Sequence, residues 1–168
     1  MKIGEYPSLS DRLYPTLRKY EKDLGDSYPE LRMAVNLYSH NVGIGSFTYL
    51  RRVLEKVVSD TAKIKYAEQS DWDFAKWRRN KRSFEDMISD LSDRLPSFLV
   101  GNPLLYGILS KGIHDLKEDE CLEYFEIIEK AIVEILDEKI RISERDNSLN
   151  FVSEKLSKIQ FKLDNNKK

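Results

Sequence analysis

The amino-acid sequence predicts an all-α protein, an up-and-down bundle of about six or seven helices in a single domain. Charged residues make up 34% of the 168 residues and hydrophobic residues 40%, a composition typical of amphipathic helices. The chain has only 7 Gly and 5 Pro, too few for the many turns of an all-β fold. Apolar residues recur every three or four positions, and no segment has the alternation of a strand. The length suits one hydrophobic core and is short for two.

The helices predicted in the first half of the chain are delimited by capping residues. A short helix follows the segment SLSD and ends at Gly25, so residues 1–26 form an N-terminal helical part. Ser27 is the predicted N-cap of the next helix, where Glu30 completes a capping box, and this helix reaches about His40. Ser46 is the predicted cap of a long helix. Its apolar stripe consists of Phe47, Leu50, Leu54, Val57, Val58, Thr61 and Ile64.

The second half predicts three further helices and a C-terminal segment. One helix runs from near Ser70 to Pro96, with a stripe formed by Trp77, Phe84, Met87, Ile88, Leu91 and Leu95. A short helix is capped by Asn102 and ends at Gly112. The next begins around Lys117, with a stripe formed by Cys121, Phe125, Ile128, Ile132, Ile135 and Leu136. Residues 141–168 are predicted to be a separate helix or a bent continuation, followed by a frayed tail.

Charge and cysteine content exclude several function classes. The formal net charge is −1, so affinity for a nucleic acid requires a local basic patch. A single cysteine, Cys121, excludes an internal disulfide and a cysteine zinc site, and the two histidines lack acids at ligand spacing. We therefore expect no metal and no cofactor. No apolar run approaches 18 residues and the first residues lack the order of a signal peptide, so we expect a cytoplasmic protein without membrane contact.

The segment GIGS, which contains Gly43 and Gly45, lacks the third glycine of a dinucleotide-binding fingerprint and follows no predicted strand. One alternative is an anion-holding turn at a helix N-terminus. A simpler explanation of the two glycines is close helix packing or a kink, and we favour packing.

Two stretches together resemble a known superfamily. GSFTYLRRVLEKVV is similar to the first long helix of uncharacterised bacterial HEPN-like domains, which has an Arg-Arg-x-x-Glu core. LYGILSKGIHDLKEDECLEYFEIIEKAIVEIL is similar to their second block, in which a tight segment ends in His and an acidic-capped helix follows. The resemblance covers roughly residues 30–140, and it places a HEPN-like core at about residues 27–140. It implies a helical bundle that is often dimeric, so we expect a homodimer.

The resemblance also implies which activities to consider. Active members are metal-independent ribonucleases with an Arg-x(4–6)-His motif, and many act in phage defence or as toxins. His114 matches the histidine, but Gly107, Ile108 and Leu109 occupy the positions of the arginine, and the nearest preceding cation is Lys111. The expected function is thus non-catalytic binding of RNA, a nucleotide or a protein partner. The alternatives are an endoribonuclease and a structural interaction domain of a larger protein.

The candidate catalytic residues are His114, Arg51 and Glu55. Arg51 and Glu55 lie one helical turn apart at the edge of the apolar stripe, where they form either an internal ion pair or part of a site. His114 precedes the helix that begins near Lys117, whose positive end would keep the ring neutral and able to act as a general base. Its structural alternative is a loop histidine bonded to a backbone carbonyl. If the site is functional, Arg51 would reach across the bundle and replace the missing arginine.

A basic segment, KWRRNKR, supplies candidate nucleic-acid contacts. Arg78, Arg79 and Arg82 fall opposite the apolar stripe of their helix and, with Lys111, are predicted to contact phosphates. The alternative is an ordinary solvated helix face. Trp72 lies off the stripe and is interpreted either as a base-stacking residue or as a lid on the bundle.

Overall fold

The computed structural model describes residues 14–67, 69–81 and 83–165, which are mostly helical and contain no strand. The predicted all-α bundle is confirmed. Short helical turns at Arg18–Tyr20, Glu21–Leu24 and Gly25–Ser27 precede seven longer helices in this part of the chain. These are α1 (Tyr28–Ser39), α2 (Gly43–Lys65), α3 (Phe74–Arg79), α4 (Phe84–Asp90), α5 (Ser97–Gly101), α6 (Leu104–His114) and α7 (Glu118–Asn165).

Helix α2 is the central helix of the bundle and packs against α1, α6 and α7. A three-residue turn joins it to α1, and this turn contains Asn41 at a φ of 60°. The predicted stripe of α2 is buried as far as Thr61, but Ile64 is 72% exposed. From the other helices, the core receives the predicted stripe of α7 and further side chains that include Leu31, Val35, Leu105 and Leu109.

The start of α2 differs from the prediction. The helix begins at Gly43 rather than at Ser46, whose buried hydroxyl donates to the Gly43 carbonyl at 2.6 Å. The first amide groups, those of Gly43 and Ile44, donate instead to the Glu118 carboxylate at the start of α7. A Cβ atom on Gly43 would lie 2.7 Å from the Glu118 carbonyl oxygen. Close helix packing at Gly43 is therefore confirmed, and a tertiary contact supplies the cap.

In the turn before α1, the prediction for Gly25 is correct and the prediction for Ser27 is wrong. Gly25 ends the preceding helical turn with a φ of 49°, a left-handed conformation that favours glycine. Ser27, however, caps no amide group with its side chain, so the predicted capping box is wrong. The reason is that Ser27 belongs to a 3₁₀ turn and has helical φ and ψ, whereas an N-cap residue needs extended geometry.

The single helix predicted between Ser70 and Pro96 is two helices. Asp73 accepts from the Lys76 amide at 2.6 Å and starts α3, which ends at Arg79. Ser83 and Asp86 then form a capping box that starts α4. Two local caps interrupt a stripe that has helical periodicity throughout.

The boundaries of α6 and α7 also differ in part. Helix α6 continues through Gly112 to His114, and the Asn102 side chain bonds to the Phe98 carbonyl rather than capping α6. Helix α7 begins at Glu118, close to the prediction, and is one continuous helix of 48 residues. The separate C-terminal helix is therefore wrong. Among the described residues, no helix has the length and apolarity needed to cross a bilayer.

Candidate functional site

Arg51 and Glu55 form one half-buried cluster with Tyr106 of α6. Arg51 Nε donates to Glu55 Oε1 at 3.0 Å, and Arg51 Nη2 lies 2.7 Å from the Tyr106 hydroxyl. That hydroxyl donates to Glu55 Oε1 at 2.9 Å, so the three side chains close a ring. Phe84 stacks on the Tyr106 ring at 3.7 Å between centroids and fixes its position. The sequence predicted the pair and its partial burial, but not Tyr106.

The electrostatics of this cluster stabilise its charged pair. Burial, followed by the hydrogen bond to Glu55, raises the pKa of Tyr106, so its hydroxyl remains a donor at neutral pH. Burial alone would lower the pKa of Arg51, but the contacts with Tyr106 and Glu55 outweigh it and raise that pKa. Each charged group thus has its complement within the cluster, the arrangement expected of an internal ion pair.

His114 and Lys111 lie elsewhere on α6. Both side chains are exposed, and His114 follows Tyr106 by about 12 Å along the helix axis. Neither side chain hydrogen-bonds to a described residue, so the carbonyl-bonded loop histidine is not observed. Because His114 ends α6 and α7 starts only at Glu118, the ring is not at the first turn of the following helix. Among the described residues, no hydrogen bond or ion pair connects His114 with Arg51 or Glu55.

The predicted basic patch is only partly described. Arg78 and Arg79 are exposed on α3 and form no ion pair with a described residue. Arg82 lies outside the described residues. Arg78 also lines a surface groove, whereas Arg79 does not.

This groove has a volume of about 250 Å³ and lies between α2 and the α3–α4 segment. We call it the α2–α3 groove. Its charged lining residues are Glu30, Arg52, Glu55, Lys56 and Arg78, and its aromatic lining residues are Phe74, Trp77 and Phe84. Two predicted site residues from distant parts of the sequence, Glu55 and Arg78, therefore meet at one concave surface.

The cations of the α2–α3 groove differ in their partners. Arg52 lies 3.8 Å from Glu30, and Lys56 pairs with Asp60 at 2.9 Å. Arg78 has no such partner among the described residues. Arg52 and Lys56 were absent from the predicted site, although their spacing of one helical turn on α2 was a usable signal.

Trp72 contributes to a neighbouring aromatic cluster rather than to the α2–α3 groove. Its ring stacks on Tyr66 at 5.3 Å between centroids, and Trp77 lies within 6.4 Å of both rings. The indole Nε1 is buried and has no hydrogen-bond partner among the described residues. This placement favours the lid interpretation of Trp72.

Comparisons with protein-family models, curated proteins and solved structures found no match. The HEPN resemblance accordingly remains a prediction from the two sequence blocks.

Proposed function

We propose that the protein is a non-catalytic, HEPN-like helical module that binds RNA through the α2–α3 groove. The observation that carries this proposal is the meeting of Arg52, Lys56 and Arg78 along one groove with aromatic walls. Phosphates are bound by arginine and lysine. Single-stranded RNA also stacks on aromatic side chains, and Phe74 is the candidate in this groove because it is half-buried, whereas Trp77 and Phe84 are buried. Arg78 has the leading role because neighbouring acids neutralise the other two cations.

The contacts of Arg51 with Glu55 and Tyr106 support a structural role for this residue. The catalytic hypothesis needs its guanidinium beside His114 instead. Replacement of the missing arginine requires Arg51 to reach a phosphate beside His114. Its guanidinium instead bonds to Glu55 and Tyr106, about 12 Å along α6 from His114. Arg51 would have to leave two partners before it contacted RNA near His114.

Binding is tested by fluorescence anisotropy with labelled single-stranded RNA over a series of salt concentrations. We expect affinity to fall as salt rises, because phosphate contacts release counterions. Arg78→Ala should weaken binding and reduce the magnitude of the salt slope by about 1. Arg79→Ala is the matched control, since it removes the same charge from the same helix outside the α2–α3 groove. Equal losses in the two variants, or an affinity indifferent to salt, would contradict binding in this groove.

The ribonuclease alternative is tested separately by incubation of the protein with labelled RNA in EDTA. We expect the RNA to remain intact. Cleavage that His114→Ala abolishes would instead establish the endoribonuclease, with Lys111 as the nearest cation before that histidine.

A further inference from the structure

The C-terminal part of α7 carries a row of exposed apolar side chains. The 48 residues of α7 span about 72 Å, and Ile140 is its last side chain packed against the hydrophobic core. Beyond it, five aliphatic side chains are each 48–59% exposed. They are Leu149, Val152, Leu156, Ile159 and Leu163, which we call the C-terminal seam.

The spacing of the C-terminal seam identifies the kind of surface that fits it. The five residues follow one another at alternating intervals of three and four, the a and d positions of a heptad. Such a seam matches a second α-helix in a left-handed coiled coil. A membrane surface fits less well, because basic and acidic side chains are equally frequent in residues 142–165, whereas interfacial helices are rich in Lys and Arg.

The composition of this segment indicates that its helix needs a partner. Serine and asparagine, which are weak helix formers, recur through it at Ser143, Asn147, Ser148, Asn150, Ser153 and Ser157. Within the segment, Lys158 pairs with Glu154 and Gln160 bonds to Asp164, contacts that support a helix only weakly. Most helices in proteins are stabilised by packing of an apolar face rather than by propensity. No described residue outside α7 supplies that packing here.

We propose that the C-terminal seam joins copies of this chain in a parallel, in-register coiled coil. Among the described residues, this occupant sets no like charges against each other beside the seam, because Lys155 at a g position then faces the neutral Gln160 at an e position of the neighbouring strand. In an antiparallel pair with the seams fully overlapped, Lys155 would face its own copy. The seam starts at Leu149 because the preceding d position is Arg145.

The residue types also set the number of strands. Leu occupies the a positions, and the β-branched Val152 and Ile159 occupy the d positions. In parallel coiled coils this arrangement favours three or four strands over two. The assembly is thus distinct from the homodimer implied by the superfamily resemblance.

Sedimentation equilibrium of the full chain tests the proposal. The mass should rise from one chain at about 1 µM towards three or four chains at about 500 µM, as expected of a short interface. Leu156→Asp combined with Ile159→Asp should remain monomeric. Phe151→Asp combined with Phe161→Asp is the matched control, because these exposed side chains lie at c and f positions, outside the seam. It should assemble like the unmodified chain.

Three results would overturn the proposal: a single-chain mass at every concentration, assembly that survives in the seam variant, or equal loss of assembly in the control. Strand direction is tested with Val152→Cys, which places identical d positions side by side in a parallel assembly. We expect a disulfide between chains on oxidation. The native Cys121 is fully buried and should not react. Self-association without this disulfide would exclude the parallel register.

Discussion

Gly112 sets how closely α6 approaches α2, because a single added carbon atom there would collide with the Phe47 ring. Phe47 is fully buried and cannot move without disturbing its neighbours. The second of the two stretches on which the HEPN prediction rests therefore contains a glycine that is needed for packing. Its sequence context predicted that Gly112 ends the helix, but the helix continues to His114.

Gly112→Ala should destabilise the protein by about 1–3 kcal/mol through overpacking against Phe47. Gly107→Ala in the same helix is the matched control, since its new methyl group would meet nothing within 4 Å. There the gain in helix propensity should stabilise the fold by up to about 1 kcal/mol. Chemical denaturation measures both free energies of unfolding. Destabilisation of similar size in the two variants would contradict the packing role of Gly112.

At the scale of elements, Asp90 holds the α3–α4 segment to the end of α2. Its carboxylate accepts hydrogen bonds from Tyr66 and Trp77, each at 2.8 Å, and pairs with Lys81 at 2.9 Å. Burial would raise the Asp90 pKa, but these three donors outweigh it and lower the pKa to about 2. The charged carboxylate thus joins side chains from three consecutive parts of the chain.

This shift predicts a defined dependence of stability on pH. A lowered pKa in the folded state means that the ionised Asp90 stabilises the fold above pH 4, and that this contribution disappears as the pH falls towards 2. Asp90→Asn should therefore cost about 2 kcal/mol at pH 7 and much less at pH 2. Denaturation across this pH range tests the prediction. Asp119→Asn, at an exposed position, is the control, and a cost for Asp90→Asn that does not vary with pH would contradict it.

The sequence predicted the helices better than their ends, for a physical reason. Periodicity reports which face is buried, so the stripes of α2 and α7 were largely correct. The cap of α2 comes from Glu118, 75 residues away in the chain, and no local pattern contains it. The break between α3 and α4 was different, because Ser83 and Asp86 form a local capping box that the continuous apolar stripe obscured.

The candidate site was predictable to a similar extent. The Arg51–Glu55 pair follows from helical spacing alone, whereas Tyr106 and the α2–α3 groove depend on how α6 and the α3–α4 segment pack against α2. His114 was assigned to a loop because Gly112 was interpreted as a helix end. Tertiary packing against Phe47 explains that glycine and places His114 at the end of a helix.

At the scale of the whole molecule, α7 has buried apolar side chains in its first half and exposed ones in its second half. The first half of this helix contributes Phe125, Ile132 and Ile135 to the hydrophobic core, while the seam residues of the second half remain exposed. Folding of the bundle and association through the C-terminal seam should therefore be separable properties of one continuous helix.

A chain that ends at Asn147 tests this separation. At about 1 µM its free energy of unfolding should lie within about 0.5 kcal/mol of that of the full chain, because the removed residues bury no core side chain. At higher concentration the full chain should gain stability through association, and the shortened chain should not. A chain that ends at Lys130 is the contrasting control, since it loses Ile132, Ile135 and Leu136 and should not unfold cooperatively. A loss of more than about 2 kcal/mol in the chain ending at Asn147 would mean that the second half of α7 stabilises the bundle itself.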